Sequence, residues 1–583
     1  MDFWNIAIPA LTFLAPALAC LYFTRRTQAR TGSEATWGMV TFGLVILVAL
    51  VGLVRFENPI RLESLWPFSA EPSGYFEFTL QLHWTRYIWI FFTNCVLFGF
   101  SAYEGKSSFR GEGRALKFNF LAGASLLSSL AYLSENVLLS LMFLEIMIFL
   151  LHAFGIQSSP REGEQERVSF FKRSSFLFLS LLSLLALAAT GKFGTNAVVL
   201  LGVVLYFLSF IFSRHSFSDW GYQSITLIQT GAAFFLLGRV IGEDLAPGLW
   251  VPISAIFAAS GVIFAWFSLT SVTGLGSSFW LLFSMVGYLL YLRFSSGRPE
   301  DPFWGTYEAI ALGAVYALAS FFRFGRYADQ GIKRAVYFAV AALLLAIVSG
   351  AMPGIDIAGA RANLESPVKL VTLGILTFLL SLVVGKSIMV SFTNEENKEA
   401  GANFSSGLWP ALVLLLIQVG AILRITDLYG EGPFRMGAAY LLTNPHIATM
   451  GIAVLAGIFS GLLLGANAGF VKKIRSNEQR MENLFPSVDP LAVAWNEKTF
   501  RYPERGMIWF SERMSHISGR SAAWVQNADK SIFAEKFYRI FRDYSVHVSQ
   551  ATRYFHSGNV RAYMFLGVLF TLLASVLFLM EGQ

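Results

Sequence analysis

Long apolar runs separated by short polar loops recur along nearly the whole chain. Read on a hydropathy window they predict about sixteen spans. The first eight lie near 6–23, 37–54, 84–103, 116–133, 137–155, 170–190, 195–213 and 222–241. The others lie near 248–272, 276–293, 305–322, 334–352, 367–391, 407–426, 447–466 and 562–580. Backbone groups find no water in hydrocarbon, so each run is expected to be a helix.

One segment breaks the pattern. Pro486, Pro490 and Pro503 interrupt the start of 467–561, and no proline occurs from Met507 to Phe555. There Phe533, Phe537, Phe541, Tyr544 and Val548 recur at intervals of three and four, while Lys530, Lys536, Arg539 and Arg542 take the other face. This predicts a lateral amphipathic helix, roughly 75 Å long if unbroken. Its apolar stripe is a candidate partner-binding face; a helix lying on lipid headgroups carries the same pattern. The chain then divides into 1–115 (spans one to three), 116–391 (a core of spans four to thirteen), 392–466 (spans fourteen and fifteen), the 467–561 segment, and a last span in 562–583.

Composition agrees with the runs. Of 583 residues, 55% are hydrophobic and 14% charged, against about 25% charged in a soluble domain. Mean hydropathy is +0.56. The expected fold class is all-α and polytopic in the lipid bilayer. A net charge of +7 in such a chain marks basic cytoplasmic loops and a basic C-terminal segment, with no nucleic-acid partner implied. Arg25, Arg26 and Arg30 follow span one, Lys106, Arg110, Arg114 and Lys117 span three, Arg161, Arg167, Lys172 and Arg173 span five, and Arg323, Arg326, Lys333 and Arg334 span eleven. These loops fall on one side; the alternate loops are poorer in basic residues. The bias predicts both termini outside and 467–561 in the cytoplasm, at the bacterial inner membrane. The stretch Met1–Cys20 has no basic n-region and an acidic Asp2, which favours an ordinary first span over a signal peptide.

Cys20 and Cys95 lie inside apolar runs without metal-ligand spacing, and no Walker loop, HExxH or CxxC occurs. No cofactor and no metal is expected. The candidate chemistry lies instead in Glu145, in the middle of the apolar run from Val137 to Gly155. A charge at that depth costs roughly 2.5–3.5 kcal/mol on insertion scales, so such a residue is expected to face a protein interior and work there.

The stretch Leu133-SENVLLSLMFLE-Glu145 resembles, without a gap, the junction of the fourth and fifth spans in the antiporter-like membrane subunits of respiratory complex I, subunit L above all. That group includes membrane subunits of energy-converting hydrogenases and of multisubunit cation/proton antiporters. Phe109-RGEGRALKF-Phe118 resembles the loop before that junction, Val168-SFFKRSS-Ser175 the start of the sixth span, Phe279-WLLFSMVGY-Tyr288 the tenth, and Ser557-GNVRAY-Tyr563 the exit from the lateral helix.

The resemblance implies a polar axis at mid-membrane, in which a glutamate of span five pairs with a lysine of span seven and further lysines and histidines continue the path. Glu145 matches the glutamate. Span seven has no lysine, with Ile211 or a neighbour in its place. Ile225 stands for the usual histidine, Tyr316 and Asn363 for usual lysines, and Thr85 lies near the place of an aspartate. The candidate ion-pathway residues are therefore Glu145, Lys172, Glu308, Asp356 and Arg361. Blander readings stand beside them: Glu145 as a neutral acid in a helix–helix hydrogen bond, Lys172 as a snorkelling lysine, Arg361 as an interfacial partner of Asp356, Lys386 as a snorkelling or packing residue, and His152 as a core histidine.

The implied function is movement of protons or sodium within a complex I-type or related assembly, with no redox centre in this chain. Its partners would be other membrane subunits, among them quinone-reducing or hydrogenase subunits. Two alternatives stay open: a non-conducting structural subunit that clamps the assembly, and an ion-coupled partner of an inorganic-carbon transporter.

Overall fold

The computed structural model describes residues 3–25, 34–62, 79–104, 114–158, 220–240, 250–271, 274–295, 304–305, 307–313, 315–316, 367–393, 445–467 and 469–470. The runs near 170–190, 195–213, 334–352, 407–426 and 562–580, and the segment bearing Phe533, Phe537, Phe541, Tyr544 and Val548, lie outside the described residues.

Apolar runs become helices wherever they are described. They are α1 (Phe3–Arg25), α2 (Glu34–Arg55), α3 (Trp84–Glu104), α4 (Arg114–Leu133), α5 (Val137–Ser158), α6 (Trp220–Val240), α7 (Trp250–Thr270), α8 (Gly274–Ser295), α9 (Pro367–Thr393) and α10 (Pro445–Ala466). Residues 307–313 are helical as well. Three stretches among the described residues, Phe3–Phe23, Thr36–Arg55 and Pro367–Val390, are long and apolar enough by length and composition alone to cross a membrane. With the membrane assemblies of like fold described below, they mark an integral membrane protein.

Helix sides follow from what each helix carries. Large exposed apolar side chains line α1, α2, α7, α9 and α10, from Trp4 and Leu18 to Trp266, Val371 and Phe459. Among the described residues α3, α4, α6 and α8 show none. These interior helices hold a polar seam instead. Asn94 donates to the Ile90 carbonyl at 2.8 Å and accepts from Ser125 at 2.6 Å. Thr93 and the Tyr132 hydroxyl lie 3.0 Å apart. Aromatic rings fill the space beside the seam, with Tyr132 and Phe235 edge to face at 4.7 Å. Where α9 meets α10, glycine lets backbone touch backbone: a Cβ on Gly385 would stand 2.5 Å from the Ile458 carbonyl oxygen. Small residues are how helices approach closely in lipid, where hydrophobic exclusion from water no longer drives them together.

An antiparallel ribbon of β1 (Ile60–Leu62) and β2 (Leu80–Leu82) departs from the all-helical expectation. It lies between α2 and α3. Leu80 bridges Ser134, and the Glu135 N–H donates to the Thr79 carbonyl at 2.8 Å, so the short α4–α5 junction extends the ribbon.

Two helical hairpins share one local design. A shift of 137 residues carries α5 (Val137–Ser158) onto α8 (Gly274–Ser295) and the end of α4 onto the end of α7. In the first, Ser140 donates to the Ala131 carbonyl at 2.7 Å. In the second, the equivalent Ser277 donates to the equivalent Ser268 carbonyl at 3.2 Å. Each serine stands in the first turn of the second helix and ties it to the last turn of the first.

The hairpins point opposite ways. Arg239, at the end of α6, binds the end of α4. Arg293, at the end of α8, lies against Gly238, where a Cβ would stand 3.2 Å from its Nη2. Lys369, at the start of α9, donates to the Ser295 carbonyl at 2.7 Å. The ends of α4, α6 and α8 thus share the face that holds the ribbon. The end of α7 lies at the start of α8, hence on the opposite face.

Candidate functional site: charges buried among the helices

Glu145 sits mid-way along α5, flanked by Met142 and Ile146, which are 43% and 47% exposed. Its Oε1 is buried and has no hydrogen-bond partner among the described residues. An unsatisfied carboxyl oxygen in an apolar helix is costly, as a buried polar group keeps its full desolvation penalty until something bonds to it. The acid is thus held at the edge of an exposed apolar face with bonding capacity unused.

Glu308 lies in the helical stretch 307–313 and is completely buried. Arg293 Nη1 approaches both of its carboxylate oxygens at 2.9 Å. The pair is 1% and 0% exposed. Removing two charges from water costs several kcal/mol each, which only close geometry and mutual attraction offset. Tyr307 beside it shares a side-chain hydrogen bond with Tyr288.

The end of α4 carries a second cluster, on the ribbon face. Helix C-termini leave carbonyls without intrahelical donors, and two arginines supply them. Arg86 Nη1 donates to the Tyr132, Leu133 and Ser134 carbonyls at 3.2, 3.1 and 2.6 Å, and its Nη2 meets the Gln81 side chain. Arg239 donates to the Ser134 carbonyl at 2.9 Å and to that of Glu135. The negative end of the α4 dipole favours both cations. The Glu135 carboxylate pairs outward with Arg61 at 2.9 Å. Between β2 and α3, His83 Nδ1 stands 2.6 Å from the Thr85 hydroxyl. Burial holds its imidazole below the ordinary 6.5; its hydrogen bond to the Glu57 backbone opposes that shift and the nearby Arg86 charge adds to it.

The end of α7 repeats the arrangement on the other face. Lys386, on α9 and 1% exposed, donates to the Ser268 carbonyl at 3.1 Å, to that of Leu269 at 2.8 Å and to that of Ser271. Three carbonyls match the three donors of an ammonium group. Ser387 beside it meets the Ser277 hydroxyl at 2.6 Å.

Of the sequence candidates, Glu145 and Glu308 are thus placed, in different helices, Glu308 paired with Arg293 and Glu145 with its Oε1 unsatisfied. Lys172, Asp356 and Arg361 lie outside the described residues, as does the side chain of His152. Lys386 is a packing residue that caps a helix, and does not snorkel. Ile225 and Tyr316, at positions where histidine and lysine are usual, are buried. Sequence reading missed Arg293, Arg86 and the role of Arg239. The signal for the first was an arginine at the end of one apolar run facing a glutamate at the start of the next. No cluster of metal-ligating side chains occurs among the described residues.

No family model and no curated protein matches the chain. Solved structures do. A chain of respiratory complex I from Thermus thermophilus with bound NADH is similar at a TM-score of 0.52 and 15% identity, over 77% of this chain and 99% of that one. A chain of the Mrp complex from Dietzia sp. DQ12-45-1b is similar at the same TM-score and identity, over 84% of this chain and 60% of that one. The chain has the fold of a membrane chain of such assemblies. The resemblance carried by Leu133–Glu145 is borne out at the level of fold.

Proposed function

We propose that the protein is an antiporter-like membrane subunit of an ion-translocating assembly of the complex I or Mrp type, and that it takes part in moving protons or sodium ions. The observation that carries this reading is the fold, which spans 99% of the complex I chain it matches. Glu145 supports it, as an acid at mid-helix with an unsatisfied oxygen. In this reading Glu145, Glu308, Lys172, Asp356 and Arg361 contribute to the ion path, and the stripe from Phe533 to Val548 braces a neighbouring subunit. The termini are external and the membrane is the bacterial inner membrane, by the loop-charge bias. Electrons pass through partner subunits.

A second reading is a non-conducting clamp. It draws on the missing lysine in span seven and on Arg86, Arg239 and Lys386, whose cations are engaged with helix carbonyls.

The reading is tested by purifying the tagged chain with its partners and reconstituting the assembly in proteoliposomes. The expected result is co-purification of other membrane subunits and driven uptake of protons or sodium that falls when this chain is omitted. A chain that purifies alone, or an assembly that transports equally without it, would overturn the proposal.

A further inference from the structure

The two hairpins differ by a fixed shift, and so do the cations that bind them. A shift of 147 residues carries α6 onto the first part of α9, from Trp220 on Pro367 to Arg239 on Lys386. Arg239 binds the carbonyl of Ser134, the first residue after α4. Lys386 binds the carbonyl of Ser271, the first residue after α7. Ser134 and Ser271 are themselves equivalent under the hairpin shift. The same contact is made twice, at opposite membrane faces, by residues of the same charge in equivalent helices.

We infer that Arg239 and Lys386 are equivalent positioning residues, each a cation that closes its own hairpin toward one face of the membrane. Arg239 closes α4–α5 at the ribbon face and Lys386 closes α7–α8 at the opposite face. The physical argument concerns what replaces them. Without Lys386, three C-terminal carbonyls lose this donor inside the helix packing; without Arg239 the Glu135 carbonyl loses it, and the Ser134 carbonyl keeps Arg86. Buried carbonyls there recruit water, the one donor able to follow. Directly behind each cap lies the serine that ties the hairpin, Ser140 or Ser277, 0% and 1% exposed. Water that reaches the carbonyls therefore reaches the serine, from that face alone. The caps are unequal: the end of α4 is held by Arg86 as well as Arg239, whereas at the end of α7, among the described residues, Lys386 alone spans three carbonyls. The inference concerns access and stands apart from whether the assembly transports ions.

The test places single cysteines, Ser140→Cys or Ser277→Cys, in the full chain carrying Cys20→Ala and Cys95→Ala. Membrane vesicles of both orientations are treated with a membrane-impermeant maleimide. With the caps intact, both cysteines should resist labelling from either side. Lys386→Gln should raise labelling of the cysteine at 277 at least tenfold from the face opposite the ribbon, and leave 140 unchanged. Arg239→Gln should raise labelling at 140 from the ribbon face by a few-fold, and Arg86→Gln with Arg239→Gln by tenfold or more. Exposure of both cysteines to both faces, or no change in labelling, would overturn the inference. Should the glutamine variants fail to accumulate, the exchanges Arg239→Lys and Lys386→Arg decide. Equivalent caps predict that both insert and stay protected, and failure of these exchanges too would refute the equivalence.

Discussion

The α4–α5 and α7–α8 hairpins solve one problem with different side chains. Both tie the second helix to the first through a serine in its first turn, and both bind the open carbonyls of the first helix with a cation from a distant helix. They part at mid-helix. Glu145 of α5 falls on Leu282 of α8, which is 3% exposed. Their close contacts are also exchanged. In the first hairpin Leu150 leans on Gly123, where a Cβ would stand 2.9 Å from it. In the second the equivalent of Leu150 is Gly287, lying on the backbone of Gly261. Capping of helix ends is common to both hairpins because backbone chemistry demands it, while a mid-helix acid occurs in one. The second hairpin keeps its charge, Arg293, near its end and fully paired.

The pairing of Arg293 with Glu308 should matter most. Arg293→Met or Glu308→Leu alone leaves one buried charge unpaired and should cost about 3–5 kcal/mol. The double substitution should recover most of that. Unfolding of the detergent-solubilised protein by denaturant titration measures it; singles as mild as the double would show that the pair is hydrated. Next in size, Gly287→Ala sets a Cβ 2.7 Å from the Gly261 nitrogen. Overpacking of this kind costs about 1–3 kcal/mol, whereas Leu150→Ala in the first hairpin should open a gap without strain. Equal helix spacing in Gly287→Ala, read from paired spin labels on α7 and α8, would contradict the close contact.

Smaller effects test the shared design. Ser140→Ala removes one buried hydroxyl bond and should cost about 1 kcal/mol, while Ser277→Ala also removes the contact with Ser387 and should cost at least as much in the same titration; a neutral serine at either site would break the equivalence. The smallest effect concerns the ribbon face. His83 has its folded proton affinity lowered below 6.5. Above 6.5 the imidazole is neutral in both states and stability is at its full value. As pH falls below 6.5 the unfolded chain takes up the proton first, so stability falls until the folded affinity is reached. His83→Gln should flatten that decline, checked by melting temperature between pH 7.5 and 5.5.

Much of the helical frame was legible. The runs at 84–103 and 137–155 became Trp84–Glu104 and Val137–Ser158. Hydropathy finds such helices because hydrocarbon leaves the backbone no alternative. The ribbon was not legible, since three-residue strands such as Ile60–Leu62 show no period to read. The hairpin repeat was hidden as well. It rests on main-chain carbonyls, so few positions beyond Ser134, Ser140 and their equivalents Ser271 and Ser277 need to match. Arg239 had no assigned role in the sequence, and Lys386 read as a snorkelling or packing lysine. What decides their role is a carbonyl acceptor more than a hundred residues away in sequence.

The difference between the hairpins turns on Glu145, and one measurement addresses it. Glu145→Gln keeps the shape and most bonding capacity of the side chain and removes its titration. In the reconstituted assembly, ion uptake per turnover should fall at least tenfold with Glu145→Gln, while the subunits still assemble in normal amounts. Full uptake with glutamine at this position would contradict the translocating role and leave the clamp in its place.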